Sequence, residues 1–386
     1  MPDISRYYNI EDLRRGAKKR LPRAIFDFFD GGAEDEITLE DNRAAFKRLR
    51  LHPKVLQDVS AIDTACEIVG GPSKFPLVIA PTGAIGMGRP GADLAIARTA
   101  SKLGVPYTLS TNATASIEDI ANHAPGRLWF QLYVLQDRDF MEKKLIARAE
   151  AAGYEALVPT VDLAVGGKRE RDFRNGFSTR FKPKLRHYIE GLRKPAWALS
   201  ILANGGLPDF VNIRGYRGST QSGATLASSV ARDTDPAFDW DDLARMRDRW
   251  KRKLIIKGVS RVDDAERLVA MGVDGIWVSN HGGRQLDGAI ASFDAMTAIT
   301  AAVGNKVAVI MDGGIRRGAD LFKVRAAGGQ AGAIGRAGLY GVATGGEAGA
   351  RRAFDILIDE LIRTMQLCGT RSIADIQPDL VERRPS

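Results

Sequence analysis

The chain has 386 residues, 44% of them hydrophobic and 27% charged, which is enough apolar material for one large domain or two ordinary ones. Charge is spread along its whole length and no run of 18 or more uncharged apolar residues occurs, which argues against a disordered tail protein and a membrane-spanning helix. Fifty-six Lys and Arg against 47 Asp and Glu leave a net charge of +9, so the location of that excess decides between an anionic ligand, an anionic bilayer and nucleic acid.

The first 23 residues mix Asp3, Glu11 and Asp12 with basic residues and contain no apolar stretch of signal-peptide length, so a cytoplasmic protein is expected. A helical segment is predicted over Ile10–Phe29. Eight short, apolar, β-branched runs then follow in order: Pro76–Pro81, Pro106–Ser110, Leu128–Val134, Ala156–Asp162, Lys253–Lys257, Gly275–Asn280, Lys306–Asp312 and Gly332–Gly335. Continuous apolar character is expected of strands buried on both faces in a parallel sheet. Helices are predicted over Asp93–Leu103, Asp139–Ala152, Val262–Met271 and Ala319–Ala327, each stopped by a glycine suited to a left-handed cap. Ser260, three residues before Asp263, has capping-box spacing.

Eight β-then-α units close most economically into a (β/α)8 TIM barrel, with a doubly wound open sheet as the competitor. The chain then reads as a single domain over 1–386 with an N-terminal helical extension. Asp162 to Lys253 leaves about ninety residues where a barrel spends about thirty, so 178–236 is an insertion after strand four. Cys66 and Cys368 give neither a disulfide framework nor a CxxC pair and read as buried or half-buried thiols.

In such barrels the chemistry sits at the C-terminal ends of the strands. Here those ends are polar: Thr82, Ser110, Gln131, Tyr133, Thr160, Asp162, Lys257, Ser279, His281, Asp312 and Arg336. Strands seven and eight end in Asp312-Gly-Gly-Ile-Arg-Arg317 and Gly335-Arg336, with glycines for close backbone approach and Arg forks for an anion, as at a barrel phosphate site. His281 is a candidate general base, with Asp162 to fix its tautomer. Arg169 and Arg284 suit a carboxylate. Lys257 could form a Schiff base or stabilise negative charge on a ligand. His52, His123 and His187 lack such company and read as structural or surface residues. The remaining polar ends suit hydrogen bonding to a flat heterocycle, which implies a phosphorylated ring cofactor.

The strings Ser279-Asn-His-Gly-Gly-Arg-Gln-Leu-Asp287, Ile256-Lys-Gly-Val259, Asp312-Gly-Gly-Ile-Arg-Arg-Gly318, Gln131-Leu-Tyr133, Gly31-Gly-Ala-Glu-Asp35 with Asn42, and Gly345-Gly-Glu-Ala-Gly349 resemble the FMN-dependent L-2-hydroxy acid dehydrogenases and oxidases. Pro81-Thr-Gly83, Ser116-Ile-Glu-Asp-Ile120 and Thr160-Val-Asp162 through Arg169-Glu-Arg-Asp172 look most like the membrane-associated mandelate dehydrogenases. The resemblance implies that His281 takes the proton of the substrate C2 hydroxyl and Asp162 supports the resulting imidazolium. It implies that Arg169 and Arg284 bind the carboxylate, that Tyr133 hydrogen-bonds near the reacting oxygen, and that Lys257 stabilises the reduced flavin. Pro81, Thr82, Gly83, Ser110, Gln131, Thr160 and Ser279 would line the FMN ring. Asp312, Gly313, Gly314, Ile315, Arg316, Gly335 and Arg336 would hold its ribityl chain and phosphate.

Two positions depart from the family pattern. Phe28 stands where most members carry a tyrosine that helps bind the carboxylate, and Asn112 stands where glycolate oxidase-like members have a tryptophan. Both changes favour a bulkier, aromatic, mandelate-like substrate. Between Arg180 and Arg217 eight basic residues (Arg180, Lys182, Lys184, Arg186, Arg193, Lys194, Arg214, Arg217) outnumber Glu190 and Asp209, interleaved with Leu185, Tyr188, Ile189, Leu192, Trp197, Leu199, Ile201 and Leu202. A basic stretch carrying Trp and Leu reads as an interfacial segment on an anionic bilayer, with a solvated lid or an oligomer contact as the alternative. The resemblance then implies a peripheral enzyme on the inner face of the cell membrane, a quinone or other acceptor, and a homotetramer. An oxidase releasing hydrogen peroxide and a catalytically altered flavin-binding protein are the rival readings. No nucleic-acid recognition motif accompanies the charge.

Overall fold

In the computed structural model, which describes residues 3–176, 185–216 and 234–383, the eight apolar runs form eight parallel strands around a closed barrel. Arg180, Lys182, Lys184 and Arg217 lie outside the described residues, as do the side chains of Arg186 and Tyr188. The chain opens with helices α1 (Ile10–Arg20), α2 (Arg23–Asp30) and α3 (Ile37–Lys47), followed by the short strands β1 (Leu49–Leu51), β2 (Cys66–Glu67) and β3 (Pro72–Ser73). The barrel then alternates β4 (Leu77–Ile79), α4 (Ala92–Leu103), β5 (Tyr107–Ser110), α5 (Ile117–His123) and β6 (Leu128–Tyr133). Next come α6 (Arg138–Phe140), a π turn (Met141–Ile146), α7 (Ala147–Ala151) and β7 (Ala156–Thr160). The long connection holds α8 (Glu170–Arg174), α9 (Leu185–Leu192), α10 (Pro195–Ala203) and α11 (Trp240–Arg249). After it follow β8 (Lys253–Val259), α12 (Val262–Ala270), β9 (Gly275–Val278), α13 (Ser292–Val303), β10 (Ala308–Asp312), α14 (Gly318–Ala326), β11 (Ala331–Ile334) and α15 (Arg336–Leu367). The outlying strand β12 (Val381–Arg383) pairs antiparallel with β1, and β11 pairs with β4 to close the barrel.

Period-two alternation places the polar strand ends. On β6, Leu128, Phe130 and Leu132 belong to the outer core against the helices, while Trp129 belongs to the inner core. The same parity carries Gln131 and Tyr133 up the inner face towards the mouth. Trp277, Val158, Ile255 and Ile310 fill the interior below, with the Trp129 and Trp277 rings meeting edge to face at 6.3 Å. Along β7, β8 and β10 the inner rows therefore run from apolar at the base to Thr160, Lys257 and Asp312 at the top. Thr160 pairs with both Tyr133 and Lys257 in the strand register.

Three local expectations change. The segment Ile10–Phe29 is two helices, because Pro22 supplies no backbone N–H to continue α1. Helix α12 is capped at Arg261 without a side-chain bond, and Asp263 pairs with Arg261 rather than with Ser260. The strands end earlier than the apolar runs suggest, at Ile79, Tyr133, Thr160, Val278 and Ile334, because the chain leaves the sheet where polar residues turn towards the mouth. Strand β8 instead runs on to Val259, with an irregular register at Lys257 and Val259. Gly104, Gly153, Gly272 and Gly328 follow their helices with φ of 64°, 80°, 69° and 89°, the left-handed stops expected.

Candidate active site

The strand ends open into a cleft whose lining includes Thr82, Gln131, Lys257, His281, Arg284 and Arg336. At its centre lies His281, just beyond β9, with φ of 59°. Two glycines follow it, Gly282 and Gly283, so the whole turn is left-handed and the imidazole is thrown over the barrel mouth. Its Nδ1 lies 3.1 Å from Asp162 Oδ1, and its Nε2 lies 3.4 Å from Tyr133 Oη. Burial alone would raise the Asp162 carboxyl, yet the His281 imidazole and the Lys257 ammonium hold it below its ordinary value. A carboxylate at Nδ1 makes that nitrogen the donor and leaves Nε2 with a lone pair towards the cleft. Burial pushes the Tyr133 hydroxyl upward, so it stays protonated.

Beneath the histidine a buried relay fixes Lys257. Its Nζ donates to Ser279 Oγ at 2.7 Å and lies 3.1 Å from Asp312 Oδ2. Ser279 Oγ in turn donates to Asp312 Oδ1 at 2.8 Å and accepts the His281 amide at 3.0 Å. Trp277 Nε1 donates to the same carboxylate at 3.0 Å. Burial would lower the Lys257 ammonium, but Asp312 and Asp162 outweigh it and keep the side chain charged. A lysine held in this way is a fixed positive charge rather than a free amine nucleophile.

The wall beside the lysine is an amide and hydroxyl ladder. Gln131 Oε1 accepts from Ser110 Oγ at 3.2 Å, and Gln131 Nε2 donates to Thr160 Oγ1 at 3.0 Å. Gln131, Thr160 and the turn Pro81-Thr82-Gly83 line the cleft, whereas Ser110 and Ser279 stand one layer back behind Gln131 and Lys257. Asn112 faces Gly83, whose missing Cβ would come within 3.0 Å of the Asn112 Cβ.

The arginines divide into two groups. Arg284 Nη1 donates to the Phe28 and Gly31 carbonyls at 2.8 and 2.9 Å, and its guanidinium stacks 5.3 Å from the Phe28 ring. Burial and the like charge of Arg169 push it down to about 9. Arg169 lines the same cleft and spends its Nε on Asp172 at 3.1 Å. Arg336 is bonded to the carbonyls of Phe29, Gly31 and Gly282, and burial lowers it too. Half-buried guanidinium groups lining a cleft are partly stripped of water, and an anion would complete them. Arg316, Gly313, Gly314, Ile315 and Gly335 complete the floor beside Arg336. Gly314 has φ of 86°, and a Cβ there would lie 2.0 Å from the Asn42 carbonyl, so the loop presses directly on α3. Left-handed glycines, two arginines, a buried ammonium and an amide ladder fit a phosphorylated ring.

Sequence reasoning missed the apolar wall of Phe29, Leu163 and Leu339, which carries no chemical label in the sequence. It also missed the reciprocal Asn42–Asn280 amide pair at 2.8 and 2.9 Å and the Asp287 carboxylate, which accepts the Asp35, Ile37 and Thr38 amides at the start of α3. His52, His123 and His187 lie outside the cleft, bonded to Glu382, the Asp119 carbonyl and the Asn175 carbonyl respectively.

The sequence profile of the FMN-dependent dehydrogenases matches residues 17–383. The chain is 39% identical to (S)-mandelate dehydrogenase of Pseudomonas putida over 97% of its own length and 94% of that protein. It is 41% identical to an L-lactate dehydrogenase of Azorhizobium caulinodans over 95% of its length and 96% of that protein. The crystal structure of a monotopic membrane protein, (S)-mandelate dehydrogenase, superposes with a TM-score of 0.93 at 38% identity, covering 98% of this chain and 100% of that one. The chain therefore belongs to the FMN-dependent dehydrogenase family and is an FMN-dependent oxidoreductase of the 2-hydroxy acid dehydrogenase type.

Proposed function

We propose that the enzyme oxidises an L-2-hydroxy acid with an aromatic, mandelate-like side chain to the 2-oxo acid, with His281 as the base. The observation that carries this reading is the His281–Asp162 pair at 3.1 Å, with Nε2 turned towards Tyr133 and the cleft. The substrate carboxylate is gripped by the free edges of Arg284 and Arg169. Its C2 hydroxyl then lies against Nε2, which takes the proton, and Asp162 stabilises the imidazolium. Tyr133 donates a hydrogen bond near the reacting oxygen. FMN, when bound, accepts the two electrons. Lys257 supplies positive charge against the ring, Pro81, Thr82, Gly83, Gln131 and Thr160 line it, and Asp312–Arg316, Gly335 and Arg336 hold the ribityl phosphate. His281 serves either course: it takes the hydroxyl proton when the carbon-bound hydrogen leaves as a hydride, or takes the carbon-bound hydrogen itself when that leaves as a proton.

Phe28 and Asn112 line the cleft at the two positions that depart from the family pattern. They support an aromatic substrate over lactate. Anaerobic mixing with (S)-mandelate should bleach the flavin, and kcat/KM should favour mandelate over lactate. A flavin that stays yellow with both mandelate and lactate defeats the catalytic reading, and a clear preference for lactate defeats the substrate reading.

The whole chain acts as one FMN-binding domain, with 178–236 as an insertion that rests on the inner face of the cell membrane and brings the enzyme to a quinone. Among the described residues no helix is long and apolar enough to cross a membrane. Leu185, Leu192, Leu199 and Leu202 on α9 and α10 are 66–80% exposed, beside Arg193 and Lys194, which supports surface attachment. Stoichiometric peroxide release in air would instead identify an oxidase. A homotetramer is expected, and light scattering of the detergent-solubilised enzyme checks it.

A further inference from the structure

The last turn of α2 leaves carbonyls without helical N–H partners, and guanidinium groups take their place. The Phe28 carbonyl accepts from Arg284, the Phe29 carbonyl accepts from Arg336, and the Gly31 carbonyl accepts from both, at 2.8–3.1 Å. The negative end of a helix dipole thus serves as the resident counter-charge of two half-buried cations. Within the same turn sits Asp30, its side chain only 6% exposed. Arg14 donates to it twice, from Nε at 2.6 Å and Nη2 at 2.8 Å, Tyr340 Oη donates at 2.7 Å, and Arg171 Nη1 at 3.3 Å. Arg171 also pairs with Glu36, whose Oε1 accepts the Gly32 amide at 2.7 Å. One carboxylate therefore joins α1, α8 and α15 to the turn whose carbonyls hold the site arginines.

We infer that Asp30 is a positioning residue: by anchoring the end of α2 it fixes the carbonyls that aim Arg284 and Arg336 at their ligands. The inference rests on the reading of Arg284 as the carboxylate ligand. Asp30 itself does not line the cleft, so its loss should act on binding and leave the chemical step alone. Nothing in the apolar string Phe26-Asp-Phe-Phe-Asp30 marks the second aspartate for this task. Its partners Arg14, Arg171 and Tyr340 lie 16, 141 and 310 positions away.

The test is a double-mutant cycle on the FMN-loaded enzyme. Asp30→Asn should raise KM for (S)-mandelate about tenfold and hold the limiting rate of anaerobic flavin reduction within about twofold, the pattern of lost uniform binding. It should also weaken FMN binding, read by fluorescence titration. In an Arg284→Gln background, which itself raises KM, Asp30→Asn should add little, because the two act through one contact. Arg171→Met and Tyr340→Phe remove one tie each, should give smaller KM increases of the same kind, and carry the same cycle if Asp30→Asn fails to accumulate with flavin. An unchanged KM in the folded variants overturns the inference, as does a KM increase that persists in full beside Arg284→Gln. If Arg284→Gln alone leaves KM unchanged, the reading of Arg284 fails and the inference falls with it.

Discussion

His281 differs from the other three histidines less in its own chemistry than in what its neighbours allow. Two following glycines let it adopt a positive φ, and Asp162, 119 residues earlier, meets its Nδ1. The histidine, its acid, the lysine and both arginines were legible because each is a costly residue at a strand end or in the loop beyond one. Phe29, Leu163 and Leu339 were not, since an apolar residue looks the same in a core and in a cleft. His281→Asn, which tolerates the left-handed backbone, should slow anaerobic flavin reduction by about 10²–10⁴-fold in stopped flow. Burial and Arg169 lower the Arg284 guanidinium, but it keeps its charge as a carboxylate grip across the working pH range. At position 28 the ring packs against the Arg284 guanidinium, 5.3 Å from the ring centre. Phe28→Tyr should lower KM for lactate by roughly tenfold or more, the worth of one charge-assisted hydrogen bond.

The barrel strands were legible because burial on both faces leaves only apolar side chains along most of their length, and the switch to polar residues marks where each reaches the mouth. Local signals were weaker where tertiary contacts decide the outcome. The π turn at Met141–Ile146 carries no sequence mark, and the start of α3 is capped by Asp287 from 249 positions away at Thr38, beyond any local pattern. In the insertion, Trp197 Nε1 donates to the Met87 carbonyl at 2.9 Å and Lys194 Nζ to the Lys19 carbonyl at 2.7 Å, so α10 is docked while its leucines face outward. Leu192→Ser, Leu199→Ser and Leu202→Ser together should release the enzyme from anionic vesicles in a flotation assay and leave flavin reduction intact. Undiminished flotation would remove the bilayer from the account. A deletion with the same aim should stop short of Asn212, whose Oδ1 accepts the Ile117 amide at 3.0 Å and whose Nδ2 donates to the Ala115 carbonyl at 3.0 Å.

At the scale of the whole molecule, the N-terminal helices, the loops after the strands and α15 converge on one set of cations, Lys257 buried and Arg284 and Arg336 half-buried. Arg284, Arg336 and Lys257 all sit where burial opposes their charge. An anionic cofactor that binds the folded chain alone stabilises it by mass action, by about 2.7 kcal/mol at a hundredfold excess over Kd. FMN should accordingly raise Tm by a few degrees in differential scanning fluorimetry and riboflavin, lacking the phosphate, by much less. Equal shifts would mean that the arginine floor does not hold the phosphate.

Ring closure also has a temporal side. Strand β4 finds its second neighbour in β11, through pairs such as Ile79 with Ile334, so 255 residues separate the two partners. At about 5–20 residues per second, a ribosome needs roughly 10–50 s to deliver the later strand after the earlier one. Throughout that interval the nascent polypeptide carries an open, hydrophobic sheet margin, and a chaperone that shields such margins during translation should govern how much soluble enzyme a cell obtains.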